Sequence, residues 1–195
     1  LWAGSLGEHI VYGILTDKRD NKTYKTVVIG TQTWMAENLN YSDTINYPGM
    51  KSWCYNNSVD SCVKYGRLYT WAAAMDSAGT FTTKGKNCGY GRTCSYTAPV
   101  RGICPDGWHL PTRAEWKSLF MELGGATAVD GAYHTVGKYL KSLSGWEGNG
   151  NGTDTRGFSA LPAGDRYNYG GFDSVGSGAY FWSATGDGSY DAYYM

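Results

Sequence analysis

The chain has no hydrophobic run approaching the roughly 18 residues that a membrane-spanning helix requires, which excludes a helical span. It is also short of charge. Asp, Glu, Lys and Arg make up 17% of it, and 17 basic residues balance 17 acidic ones. With zero formal net charge and no run of like charge reaching four residues, it lacks the electrostatic footprint of a nucleic-acid binder and of a polybasic membrane patch. Cys-x-x-Cys pairs are missing, and no cysteine has a nearby histidine at zinc-finger spacing, which argues against structural zinc. Neither a Gly-x-Ser-x-Gly elbow nor a His-Glu-x-x-His motif occurs, and Gly148-x-Gly150-x-Gly152 lacks dinucleotide-binding spacing. The three histidines, His9, His109 and His134, stand far apart. No fixed-period repeat and no linker divides the chain.

What is present is a Gly-, Tyr- and Trp-rich chain of single-domain length: 195 residues with 28 Gly, 17 Tyr and 8 Trp. Glycine stands at about twice its usual frequency of roughly 7%. Such a composition builds loops and hydroxyl hydrogen bonds where other proteins use charged helix faces, as many extracellular domains do. The opening Leu1-Trp2-Ala3-Gly4 carries no initiator Met or signal peptide and reads as a processed start. Residues 1–11 read as a tail or linker. The chain stops at Met195 inside a strand-like pattern, so the natural chain is expected to run further.

Five cysteines sit at 54, 62, 88, 94 and 104. Cys54 and Cys62 flank one polar loop and Cys88 and Cys94 another. Each pair is expected to close its loop with a disulfide, worth about 2–3 kcal/mol by loop entropy and at home in an oxidising compartment. Cys104 is left over: a reactive thiol, an intermolecular bridge, or a residue whose mate lies elsewhere.

From Tyr12 to Leu39 the pattern is that of a β-meander, with Tyr24–Ile29 its β-branched central strand. Residues 40–64 read as a long loop, Tyr69–Ala78 as a short helix, and residues 79–103 as a second Gly-rich loop. The sharpest local signal is Thr112-Arg113-Ala114-Glu115, a capping box followed by Trp116, Leu119, Phe120 and Leu123 at helical spacing, with Gly124-Gly125 as the stop. Val136–Leu143 reads as a helical turn. After Gly145 come loops and short strands, at Phe158–Leu161, Tyr180–Ala184 and Tyr190–Met195.

Five blocks carry a family resemblance. They are Trp34-Met35-Ala36-Glu37-Asn38-Leu39, Tyr65-Gly66-Arg67-Leu68-Tyr69-Thr70-Trp71, and Cys104-Pro105-Asp106-Gly107-Trp108-His109-Leu110-Pro111-Thr112. Gly157-Phe158-Ser159-Ala160-Leu161-Pro162-Ala163-Gly164 and Phe181-Trp182-Ser183-Ala184-Thr185 follow in order. Together they resemble the Fibrobacter succinogenes major paralogous domain. The resemblance implies a secreted bacterial protein and an α+β, C-type-lectin-like fold shared with formylglycine-generating enzymes. Such a fold has two helices on small antiparallel sheets, with long loops forming a variable face. It further implies one domain over residues 12–195, lacking a closing strand that ends near Ser-Val-Arg-Cys, which would account for the unpaired Cys104.

Enzymatic chemistry is not expected. Formylglycine generation needs a cysteine pair in the C-terminal half, and no cysteine follows Cys104. His109 reads as a structural histidine at a helix entry and Glu115 as a cap. Residues 147–154 (Glu-Gly-Asn-Gly-Asn-Gly-Thr-Asp) alternate oxygen-bearing side chains with glycine like half an EF-hand loop, but Phe158 stands where the bidentate Glu belongs. The segment reads as a Gly/Asn turn, with calcium in another geometry as the alternative. Glu-Pro-Asn and Gln-Pro-Asp, the sugar-binding tripeptides of C-type lectins, are missing. The C-terminal third instead interleaves aromatic rings with short polar side chains, a composition suited to sugar rings and to protein recognition. The expected ligand face comprises Trp146, Asn149, Asn151 and Asp154 together with Arg166, Tyr167, Tyr169, Asp187 and Tyr190, while Trp182 reads as core. The expected function is a secreted or cell-surface binding or adhesion module for polysaccharide or protein. The alternative is a self-associating subunit of an extracellular fibre or surface layer.

Overall fold

A computed structural model describes residues 9–48, 50–125 and 136–195. Leu1–Ala3 and His134 lie outside the described residues. The N-terminal third is the expected meander. Strands β1 (Tyr12–Thr16), β2 (Thr23–Ile29) and β3 (Gln32–Met35) form an antiparallel sheet in that order. Ile29 pairs with Gln32, leaving Gly30-Thr31 as the turn, and Gly30 takes φ +60°, which glycine adopts without strain. Ile10 already packs against the core, so the folded unit reaches back into the segment read as a tail.

Residues 40–64 depart from the expected loop. They contain β4 (Ser52–Trp53), a 3-10 turn at Tyr55–Asn57 and helix α1 (Val59–Tyr65). The sequence of α1 is a poor helix former with exposed Val59 and Val63, so propensity did not reveal it. Tertiary contacts hold it instead. Cys62 is bridged to Cys54, and Asn40 and Asn38 donate side-chain amides to the carbonyls of Cys62 and Tyr65. Strand β5 (Leu68–Tyr69) pairs with β4, and helix α2 is a single turn, Trp71–Ala74, capped by Thr70. The expected longer helix ends early because Asp76, at φ +56°, collects the N–H groups of Thr80, Phe81 and Thr82 and turns the chain away.

Helix α3 (Arg113–Glu122) forms as its sequence predicts. Glu115 N–H donates to Thr112 Oγ1 at 3.2 Å, and Thr112 N–H donates back to Glu115 Oε2 at 2.8 Å. Trp116, Leu119, Phe120 and Leu123 are all buried. Helix α4 (Gly137–Leu140) is again one turn, so the described residues hold four α-helices where two were expected.

The C-terminal third contains two hairpins, β6 (Ala163–Arg166) with β7 (Phe172–Val175) and β8 (Trp182–Asp187) with β9 (Asp191–Tyr194). The strand expected at Phe158–Leu161 reduces to a single parallel bridge from Ala160 to Lys141. Ser159 sits at φ +56° with its N–H captured by Asp154, which interrupts the extended run. The architecture is thus mixed α+β with small antiparallel sheets.

One aromatic cluster ties these parts together. Trp34 of β3, Trp116 of α3, Phe158 and Phe181 meet with ring centroids 4.8–6.0 Å apart, mostly tilted or edge-on, the arrangement their quadrupoles favour. A second, smaller cluster joins Met75, Val100 and Ala184 to the Cys88–Cys94 bridge. Denaturant melts should show Thr112→Ala costing about 1 kcal/mol through the lost cap. Trp116→Ala should cost about 3–5 kcal/mol, because its ring touches four others in the core. Equal, negligible losses would contradict this assignment of helix and core.

Candidate ligand-binding cleft

An extended cleft of about 2320 Å³ borders the two C-terminal hairpins and the loops that carry the disulfides, and reaches on to β3, the 103–111 segment and the Trp34–Trp116–Phe158 cluster. Its position follows from four tryptophans and tyrosines that the chain cannot bury fully. Trp182 of β8 donates its indole N–H to the Tyr69 carbonyl at 2.8 Å, and Trp71 of α2 donates to the Ser183 carbonyl at 2.8 Å. Both indole nitrogens are thereby satisfied by backbone, and both rings line the cleft. Tyr194 lies edge-on to Trp182 and to Tyr180, whose ring remains 48% exposed.

On one side stands the β6–β7 hairpin. The Arg166 guanidinium lies 3.9 Å from the centroid of Trp53, and Tyr167 stacks on Tyr169 at 5.1 Å with the rings 16° from parallel. Tyr167 donates its hydroxyl to Asp173. On the other side Tyr90, in the Cys88–Cys94 loop, meets Tyr190 edge-on at 5.2 Å. The expected residues therefore divide. Arg166, Tyr167 and Tyr190 line the cleft and Tyr169 stacks at its rim. Asp187 is exposed at the end of β8, paired with Asp191.

Trp146 is a correction to the expected face. It is buried, its indole N–H donating to Ser142 Oγ and the Ala160 carbonyl, with Lys141 over its ring. Asn151 accepts the Trp146 backbone N–H, and Asp154 accepts both the N–H and the hydroxyl of Ser159. Their oxygens thus serve two different internal turns, and no group of three or more His, Cys, Asp or Glu converges for a metal among the described residues. Asn149 is exposed at φ +60° within the same turn. None of these four residues lines the cleft. Trp182, read as core, is half-buried and forms part of the cleft wall. The sequence reading also missed Trp53, Trp71, Tyr90 and Tyr180. For Tyr90 a signal existed: it sits between two glycines in a disulfide-closed loop.

Both predicted disulfides are present, Cys54–Cys62 and Cys88–Cys94, and Cys104 is a free thiol. Burial pushes the Cys104 thiol up to about 12 despite nearby Arg19 and Arg101, so it stays protonated and a poor nucleophile. Burial acts on the Glu115 carboxyl in the opposite sense to its net shift: hydrogen bonds from Thr112 and His109 outweigh desolvation and hold it below 4.5. Its Oε1 lies 2.8 Å from His109 Nε2, which orients the ring at the cleft wall.

Residues 27–195 match one family, the Fibrobacter succinogenes major domain. The chain belongs to that family. No curated protein and no solved structure matches it. The matched range of the family domain opens at Val27, inside β2, yet β1 pairs with β2 from Tyr12↔Val27 to Thr16↔Thr23. The folded unit in this chain therefore extends beyond the family match at its N-terminal side.

Asp165 carries a strain that the cleft retains. One carboxylate oxygen is buried without a partner, and Asp173 stands opposite it on β7. Desolvation, then the Asp173 charge, raise its carboxyl above 3.8. A raised carboxyl favours the fold when protonated, so its contribution is intact below pH 3.8 and is lost as pH rises through the folded value. At pH 7 the ionised group opposes folding. Asp165→Asn should therefore raise the thermal midpoint at pH 7, with the gain shrinking as pH falls toward 3.8. A lower midpoint at pH 7 would contradict the assignment.

Proposed function

We propose that this domain is an extracellular binding module whose cleft takes a polysaccharide chain. The observation that carries the reading is the cleft itself. Pockets for small ligands run roughly 300–1,000 Å³, and this one reaches about 2320 Å³ while lying open between two hairpins. That size suits a polymer. Its walls include the Trp71 and Trp182 rings, whose indole N–H groups are already tied to backbone, which leaves ring faces for the apolar side of sugar rings. Charges of both signs border it, Arg92 and Arg166 against Asp165 and Asp191, in keeping with an uncharged, hydroxyl-rich ligand.

Two disulfides support an oxidising, extracellular setting. In the same reading the fold is C-type-lectin-like, supported by long loops, short hairpins and the seating of β8 beside α3. The Asn151 and Asp154 oxygens close local turns, and this reading of the cleft calls on no calcium. The second reading, a self-assembling subunit, draws on the same exposed tyrosines, which are suited to packing against a neighbouring copy.

Affinity electrophoresis against dextran, mannan, xylan, pectin and chitosan, alongside light scattering of the eluted protein, separates the two. A binding module retards in at least one polysaccharide gel and elutes as a monomer. Tyr180→Ala should then weaken that binding at least about tenfold, or 1.4 kcal/mol, without lowering the melting temperature. A concentration-dependent oligomer that ignores every polysaccharide would favour the subunit.

A further inference from the structure

We propose that the cleft reads its polymer at two separate subsites, one on each hairpin tip, each held in place by its own disulfide loop. The proposal rests on the polysaccharide reading above and adds how the chain is gripped. The first lip is the tip of the β6–β7 hairpin, closed by Tyr167 N–H to the Gly171 carbonyl at 2.8 Å. It carries the stacked Tyr167–Tyr169 pair, with Tyr169 78% exposed. Its base is clamped by the segment around the Cys54–Cys62 bridge: Arg166 lies over Trp53, and Phe172 packs on Tyr55 at 5.3 Å. Trp53 and Tyr55 flank Cys54 directly.

The second lip is the turn between β8 and β9. The Ser189 carbonyl accepts two backbone N–H groups from the Cys88–Cys94 loop, Gly91 at 2.8 Å and Arg92 at 3.2 Å. Above them Tyr90 and Tyr190 form the edge-on pair, 82% and 63% exposed. The two hairpins are separate two-stranded sheets, and each disulfide loop serves a different one. Each lip is therefore a rigid aromatic platform anchored independently of the other, and both border the same cleft.

Two platforms joined by one ligand act as a bivalent site. A short oligomer engages one lip at a time, whereas a chain long enough to reach both gains an effective-concentration advantage on the order of 100-fold or more. An aromatic ring presents a face to a pyranose at each lip, so the repeat unit can be the same at both.

The test uses size-fractionated oligomers, made by partial hydrolysis of whichever of the five polysaccharides binds, titrated calorimetrically into the intact domain. The expected result is weak, nearly length-independent affinity for short oligomers, then a step on the order of 100-fold at one chain length. The double variants Tyr90→Ala/Tyr190→Ala and Tyr167→Ala/Tyr169→Ala should each abolish the step while keeping the short-oligomer affinity. Their exposed positions leave the fold intact, which unchanged thermal melts would register. Cys88→Ser/Cys94→Ser and Cys54→Ser/Cys62→Ser should likewise abolish the step, each with a lowered thermal midpoint because the bridges are buried at Cys88 and Cys62. A smooth rise of affinity with length, or one double variant abolishing all binding while the other changes nothing, overturns the two-lip proposal but leaves polysaccharide binding standing. Failure of every polysaccharide to bind overturns the reading of the cleft and the proposal with it.

Discussion

Trp71 and Trp182 exchange indole hydrogen bonds across more than 110 residues of sequence, each donating to a carbonyl beside the other. A single such bond contributes only about 1 kcal/mol net, but leaving its partly buried donor unpaired would cost about 1–3 kcal/mol. The exchange therefore fixes register as much as it adds stability. It locks the β5–α2 junction to β8, and the other cleft elements take their places from that lock. Ala184 then donates its N–H to the Pro111 carbonyl and Thr185 accepts from Arg113, which seats β8 against the start of α3. Phe181, one residue before Trp182, turns the other way into the Trp34–Trp116–Phe158 cluster.

That alternation explains how one short strand serves both core and cleft. Successive side chains of an extended segment point to opposite faces. Tyr180 and Trp182 share one face along the cleft, while Phe181 between them packs on the Trp34–Trp116–Phe158 cluster. Sequence reading put Trp182 in the core because it stands in a run of residues that a core would use. The run is split between two environments, and only the distant carbonyl of Tyr69 decides which one receives Trp182.

Features governed by neighbours in sequence were legible beforehand. The meander followed from β-branched alternation and the Gly30 turn, α3 from its capping box and apolar spacing, and the disulfides from cysteines flanking short polar loops. Features governed by distant partners were not. Helix α1 depends on Asn38, Asn40 and the Cys54 bridge rather than on its own residues. Strand β6 reads Ala-Gly-Asp-Arg, which carries no strand propensity, and it exists through pairing with β7. The candidate site divided along the same line. Tyr167, Tyr169 and Tyr190 lie exposed at hairpin tips, where composition is informative. Trp146 was misassigned because Ser142 and Ala160 supply its indole acceptors from across a loop.

Low charge and high aromatic content make a coherent whole in this arrangement. Half-buried rings, Trp71 and Trp182 among them with indole N–H groups satisfied by backbone, stand where most domains of this size would show charge. The most direct test of the account is a set of ¹⁵N–¹H spectra recorded during titration with the polysaccharide that binds. The account predicts that backbone and indole signals of Tyr90, Tyr167, Tyr180, Trp182 and Tyr190 shift together, while those of Trp146 stay fixed. Shifts centred on the loop of residues 147–154, with the cleft signals unmoved, would contradict it.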